Sequence, residues 1–179
     1  MKTVDRRHLD LPAGRSDASL RLVEQTKIGS VDIRLAKAGD LCGIQGCARA
    51  AYEIYVPRIG RRPAPMIADF EDQIKQELVH VLTDDKRVAG FVVCYRRDDH
   101  LHLENVAVDP QFQGFGYGVQ LIRHAEQAAR DIGLGAVELY TNAKMTENLT
   151  LYPHLGYAEL GRWREDGFDR VFYRKIIVD

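Results

Sequence analysis

The chain is 179 residues long, 45% hydrophobic and 28% charged, with 25 basic against 26 acidic side chains. That fits one soluble domain with a fair-sized core and argues against a general nucleic-acid binder. No run of about 18 apolar residues occurs, which argues against a membrane span, and the start, M-K-T-V-D-R-R-H-L-D, lacks an apolar signal core.

Residues 1–29 are polar and rich in charge, with Pro12-Ala13-Gly14 and one apolar patch at Leu20–Val23; they read as an extension, in part disordered, ahead of a domain at 30–179. Val31–Leu35 alternates apolar and charged residues, the pattern of a half-buried strand. Asp40 is placed to cap a helix reaching about Tyr55, with Leu41, Ile44, Cys47, Ala48, Ala51 and Tyr52 on one face. Residues 56–66, V-P-R-I-G-R-R-P-A-P-M, carry three prolines and a glycine and predict no regular element. A second helix is expected over 68–77, then a hairpin of 80–83 and 88–96 turning at Asp84-Asp85-Lys86, then a strand at 101–108. Beyond a glycine-rich loop, Leu121, Ile122, Ala125, Ala128, Ala129 and Ile132 mark a helix face that Gly133 stops. A strand at 136–141, a short helix at 147–155 and a hairpin of 158–164 and 169–178 complete the order β-α-α-β-β-β-α-β-α-β-β. Three cysteines, Cys42, Cys47 and Cys94, lack C-x-x-C spacing; they read as buried thiols of a cytoplasmic protein, not as a disulfide framework or zinc site.

The loop is the most informative stretch. Val106 to Gly118 reads V-A-V-D-P-Q-F-Q-G-F-G-Y-G, with Gly114, Gly116 and Gly118 alternating with Phe115 and Tyr117 ahead of a helix. Closely spaced glycines there leave backbone N–H groups bare and converging, which suits a phosphate. A P-loop would end in Gly-Lys-Ser/Thr, whereas Val119-Gln120 follow here. A dinucleotide loop would follow the first strand of its unit, and this one follows the fourth. One or two glycines suffice for a tight turn; three suggest close approach by a ligand.

Val106–Gly118 and the helix after it resemble motif A of the GNAT superfamily of N-acetyltransferases, whose Q/R-x-x-G-x-G/A signature falls on Gln113, Gly116 and Gly118. A second stretch, Leu151-Tyr152-Pro153-His154-Leu155-Gly156-Tyr157, resembles the family's Y-x-x-L-G-F/Y. The resemblance covers about residues 30–179. It implies an α+β, three-layer fold with a mixed, largely antiparallel sheet of about seven strands flanked by about four helices. It implies acetyl-CoA as acyl donor, its pyrophosphate on Gln113, Gly114, Phe115, Gly116, Tyr117 and Gly118, and its pantetheine arm along Val106, Ala107 and Val108. Asn148 is a further residue for that arm, although members often carry Asn seven residues before the tyrosine, where this chain has Met145. No metal is needed. Dimers are common in the family, so a homodimer is one state it allows.

The resemblance also assigns chemistry. A backbone amide near Asn105 or Val106 would stabilise the developing oxyanion. Tyr152 holds the family's position for the acid that protonates the leaving thiolate; a half-buried core tyrosine is the other reading. For the base, Glu104 and then His102 stand on the strand before the loop with the same parity; a surface-facing polar pair is the alternative. The loop between the first two helices lines the acceptor site in the family, which brings in Tyr52, Tyr55, Arg58 and Arg61. Those arginines suit an acceptor bearing a carboxylate or instead contact helix ends and acidic surface residues. Trp163, Phe168 and Tyr173 supply an apolar wall, the core or a dimer contact. The expected activity is direct acetyl transfer to a primary amine of a small molecule or peptide; a non-catalytic acetyl-CoA-binding sensor or interaction module is the rival.

Overall fold

The alternation at the start of the domain forms strand β1 (Asp32–Leu35), and the apolar stripe after it forms helix α1 (Leu41–Tyr52). The computed structural model describes residues 31–177; the expected extension at 1–29 and its apolar patch lie outside the described residues. Asp40 does not cap α1. Its carboxylate accepts two bonds from the Arg34 guanidinium, at 2.8 and 3.0 Å, and one from the Lys37 N–H at 2.8 Å. An ion pair returning to β1 outcompetes the local cap, and the Arg34 bond holds the Asp40 carboxyl below its ordinary range.

The proline-rich segment is not wholly irregular. Helix α2 (Val56–Ile59) is a single turn with Pro57 near its start, where a missing N–H costs no intrahelical bond. Helix α3 (Phe70–Lys75) follows, capped by the Asp69 side chain on the Asp72 N–H at 3.0 Å. Then come β2 (Val79–Asp84), β3 (Arg87–Arg96) and β4 (Leu101–Val108), helix α4 (Tyr117–Asp131), strand β5 (Ala136–Asn142), helix α5 (Thr146–His154), and the hairpin β6 (Ala158–Glu165) and β7 (Phe168–Ile176). Helix α4 ends as its glycine predicts: the Gly133 N–H bonds the Arg130 carbonyl and the Leu134 N–H the Ala129 carbonyl, both at 2.9 Å.

The strands form one seven-stranded sheet in the order β1-β2-β3-β4-β5-β7-β6. Every neighbouring pair is antiparallel except β4 and β5. Helices α1 and α3 cover one face, over Ile44, Cys47, Phe70, Val79, Val81, Phe91 and Val93. On the other face Leu121, Ile122, Ala125 and Ala129 of α4 pack on Leu82, Leu103 and Leu139, with Tyr152 of α5 in the same cluster. Ile44 and Leu121 are fully buried; truncating either to Ala costs about 2–5 kcal/mol. The cysteines divide: Cys47 and Cys94 are buried, whereas Cys42 is exposed. It falls on the solvent side of α1, between the core positions Leu41 and Ile44.

Two features of the sheet position the site. Val93 pairs with Asn105 while Cys94 pairs with Leu103, so Glu104 is an extra residue, a bulge in β4. The parallel pairing of β4 with β5 extends only from Leu101–Val137 to Leu103–Leu139. Beyond that point β4 and β5 no longer pair with each other and diverge.

Candidate active site

The divergence opens a cleft of about 570 Å³ that passes through the sheet. On the α4 side it is lined by Gln113, Gly118, Ile122, Asn148 and Tyr152; on the α1 and α3 side by Tyr52, Pro63, Ala64, Asp69, Asp72 and Gln73. Glu104 to Val108 form one wall between the two mouths, and Tyr140 to Asn142 the other.

The β4 wall offers bare backbone groups. The Asp109 N–H bonds the Ala89 carbonyl at 2.9 Å, so by strand alternation the even residues, Val106 and Val108, direct theirs away from β3. The Val106 carbonyl confirms this by facing the Tyr52 hydroxyl at 3.1 Å. In an extended strand a residue's N–H and C=O share a side, which aims the Val106 N–H into the cleft. The side chains of Val106 and Val108 pack toward α4, and Ala107 is buried under α1.

At one end of the cleft lies the glycine loop. Gly114 and Gly116 have φ of +86° and +76°, the left-handed region where other residues are strained. A Cβ at either would meet no atom within 4 Å, so backbone conformation, not crowding, demands glycine there. Gly116 is the cap residue of α4, which starts at Tyr117 and so places Gly118 inside its first turn. The N–H groups from Gly114 to Val119 find no hydrogen-bond partner among the described residues. A row of free donors at the N-terminus of a 15-residue helix fits a pyrophosphate. Tyr117 turns away from the loop, donating to Asp84 Oδ2 at 2.7 Å, while Phe115 is exposed and its ring stacks 5.7 Å from that of Tyr117.

Tyr152 is 4% exposed, with its ring 5.8 Å from Tyr157 and 5.5 Å from Tyr173. Burial, then the Tyr55 and Tyr173 phenols, hold its hydroxyl above its ordinary pKa, so the group keeps its proton at neutral pH. Asn148, one turn earlier on α5, donates to Thr141 Oγ1 at 2.9 Å, which joins the helix to the far wall.

Glu104 accepts from Gln73 Nε2 of α3 at 3.1 Å, and Asn105 Oδ1 lies 2.6 Å from the Tyr52 hydroxyl of α1. The bulge thus sends two consecutive side chains to the same side. His102 stands in a second cavity of about 500 Å³, which Glu104, Tyr140 and Arg170 share with the cleft. Burial first, then Arg97, His100 and Arg170, push the His102 imidazole down to about 4, which makes it neutral and weakly basic.

Of the residues expected at the acceptor side, Tyr52 lines the cleft. Tyr55 is half-buried behind it, with ring centroids 6.3 Å apart, and burial raises its phenol pKa. Arg58 pairs with Glu147, in the first turn of α5, at 2.7 Å. Arg61 donates to the Asp166 carbonyl at 2.7 Å and lies 3.4 Å over the Phe168 ring. Both arginines therefore contact a helix end or a hairpin rather than the cleft. The three aromatic residues of the final hairpin separate: Tyr173 is core, Phe168 lines the cleft, and Trp163 is half exposed, stacked 3.7 Å on Phe172. Sequence reading missed Gln73, Asp69, Asp72 and Arg170. Only the loop's position before α3 signals the first three, and nothing local signals Arg170.

A largely antiparallel sheet opened between its parallel strands, with a bulge on one wall and a bare glycine loop at the helix end, defines the architecture of an acyl-CoA N-acetyltransferase. The model of the Acetyltransferase (GNAT) family matches residues 48–157, and the chain belongs to this family. It is similar to the ribosomal protein bS18-alanine N-acetyltransferases of Salmonella typhimurium (33% identity over 90 residues, 50% of this chain and 61% of the relative) and Escherichia coli K12 (31% over 78 residues, 44% and 53%). The chain thus spans little more than half the length of the curated relatives it matches. Among solved structures it resembles the ribosomal-protein-S18-alanine N-acetyltransferase of Escherichia coli (TM-score 0.67, 22% identity, 83% of this chain and 95% of that one). It also resembles the PaiA N-acetyltransferase of Thermoplasma acidophilum in complex with coenzyme A (TM-score 0.63, 18% identity, 82% and 99%). At these identities the likeness concerns the fold. Among the described residues no helix is long and apolar enough to cross a membrane.

Proposed function

We propose that the protein transfers the acetyl group of acetyl-CoA directly to a primary amine of a small molecule or a peptide. The observation that carries this reading is the divergence of β4 and β5 after Leu103 and Leu139, which joins the glycine loop on one face to Glu104 on the other through a single cleft. The N–H groups from Gly114 to Val119 would hold the pyrophosphate, with Gln113 and Asn148 along the same wall. Acetyl-CoA supplies the thioester.

The acceptor amine enters from the α1 and α3 side. An alkyl ammonium has a pKa near 10.4 and must lose a proton before it attacks. Glu104 is the base for this step, directly or through a water, and Gln73 orients its carboxylate; His102 stands second. The Val106 N–H stabilises negative charge developing on the carbonyl oxygen, a contribution of about 10²–10³ in rate for one such donor. Tyr152 gives its proton to the departing sulfur as the general acid. Similarity to alanine N-acetyltransferases of a ribosomal protein supports an α-amine of a peptide as acceptor. The test is acetyl-CoA turnover against a panel of amines and peptides; no turnover with any of them, at saturating acetyl-CoA, would overturn the reading.

A further inference from the structure

Arg58 and Arg61 do not line the cleft, yet each reaches across its acceptor mouth. Both stand on residues 56–66, the segment that runs from the end of α1 toward α3 and supplies Ile59, Pro63, Ala64 and Pro65 to the lining. The far side of that mouth is made by Met145 and Asn148, at the start of α5, and by Phe168, at the start of β7. Arg58 Nη1 meets Glu147 Oε1 of α5 at 2.7 Å. Arg61 donates to the Asp166 carbonyl at 2.7 Å, and its guanidinium lies 3.4 Å over the Phe168 ring. The hairpin makes room for it: a Cβ at Gly167 would stand 3.0 Å from Arg61 Nη2. Little else holds the segment. None of residues 53–67 belongs to either apolar cluster of the core. Its turn bonds, from the Gly60 N–H to the Val56 carbonyl and from the Met66 N–H to the Pro63 carbonyl, stay within it. A stretch with so few buried apolar contacts opens at low cost. The Arg58–Glu147 pair is half exposed on both partners, and pairs of that kind are weak and screened by salt.

We infer that residues 56–66 are a strap latched shut over the acceptor mouth, and that Arg58 and Arg61, its two latches, set the size of acceptor the cleft admits. The closed strap passes a short amine; an acceptor that continues as a chain beyond its amine needs the strap lifted. The latches tie together the elements such a chain must pass between, α2 on one side and α5 with the β6–β7 turn on the other. Pro57, Pro63 and Pro65 stiffen the strap, so it lifts as a piece once the latches part. Turnover of a peptide then scales with the fraction of molecules whose strap is open. Acetyl-CoA, bound from the α4 side, is indifferent to it. Both arginines act away from the reacting atoms and are positioning residues that determine specificity. The inference rests on the transferase reading above.

The test uses the full-length protein with acetyl-CoA and two acceptors that present the same amine, alaninamide and the tetrapeptide Ala-Gly-Gly-Gly. The readout is the ratio of kcat/KM for the peptide to that for alaninamide. Arg58→Gln should raise the ratio about two- to fivefold, the range for one exposed ion pair. Adding Arg61→Gln should raise it about five- to twentyfold in all, since a cation over an aromatic ring is lost as well. The charge swap Arg58→Glu, Glu147→Arg rebuilds the first latch and should return the ratio to wild type. Acetyl-CoA affinity by calorimetric titration should stay the same throughout. Hydrogen exchange supplies a readout apart from turnover: the amides of residues 56–66 should exchange faster in the double variant, while those of β4 do not change. A ratio that is unchanged or lowered in the double variant, or unchanged exchange over 56–66, overturns the inference alone. Absence of turnover with every acceptor in the wild-type protein sinks the transferase reading, and this inference with it.

Discussion

The Tyr52 hydroxyl lies 2.6 Å from Asn105 Oδ1, which ties the last turn of α1 to the residue after the β4 bulge. The same oxygen is 3.1 Å from the Val106 carbonyl, so one phenol fixes both the bulge and the edge of β4 that faces the cleft. Asn105 is 6% exposed. Tyr52→Phe leaves its amide oxygen buried and unpaired, at a cost of about 1–3 kcal/mol. For a domain of this size the expected fall in Tm is roughly 2–4 °C per kcal/mol, read by calorimetry. We expect kcat to fall as well, since the Val106 N–H loses its support; a variant with wild-type kcat and Tm would remove Tyr52 from this role.

The bare N–H groups of the glycine loop predict a second outcome. Gly116→Glu places a carboxylate against donors suited to a phosphate, and acetyl-CoA affinity measured by calorimetric titration should be lost. Gly116→Ala separates conformation from charge. At φ +76° the alanine costs about 1 kcal/mol and should weaken binding far less than the glutamate. Normal affinity in the glutamate variant would refute the assignment of the cradle.

Tyr152 can be tested with little disturbance to the fold, because its hydroxyl makes no hydrogen bond to the described residues while its ring packs between Tyr157 and Tyr173. Tyr152→Phe keeps the packing. The expected result is a fall in kcat of about 10²–10⁴, the usual range for losing a general acid. Acetyl-CoA affinity and Tm should be close to wild type. An unchanged kcat would return Tyr152 to a core residue.

His102 makes stability depend on pH. Its imidazole is ordinary at about 6.5 in the unfolded chain and pushed down to about 4 in the fold by burial, with Arg97, His100 and Arg170 adding repulsion. Between these values the unfolded state binds more protons, so stability falls as pH drops from 6.5 toward 4. The full effect, reached below pH 4, is about 3 kcal/mol. His80 and His124 are lowered too, chiefly by burial, and act in the same direction. Chemical denaturation at pH 7 and pH 4.5 should show this loss, and His102→Gln should reduce the difference between the two.

The glycine motif, the helix after it and the seven strands were legible because each depends on local chemistry. Positive φ selects glycine at Gly114 and Gly116, and the stripe of Leu121, Ile122, Ala125 and Ala129 repeats at the helical period. Parity also placed His102 and Glu104 on one cavity, which both line. Parity could not show that Asn105 joins Glu104 on that side, because a bulge breaks the alternation on which parity rests.

Side-chain partners far apart in sequence were beyond local reading. Asp40 has the form of a helix cap yet pairs with Arg34; Arg58 and Arg61 have the form of an anion site yet meet Glu147 and Asp166, 89 and 105 residues away. The amino-acid sequence by itself determined the glycine loop and the order of elements, since these follow from backbone conformation and periodicity, and the resemblance those motifs carry pointed to the donor. Only the tertiary structure decided which side chains line the cleft: Arg58 is drawn to Glu147 and Arg61 to the Asp166 carbonyl, pairings set by how α5 and the β6–β7 hairpin pack beside it.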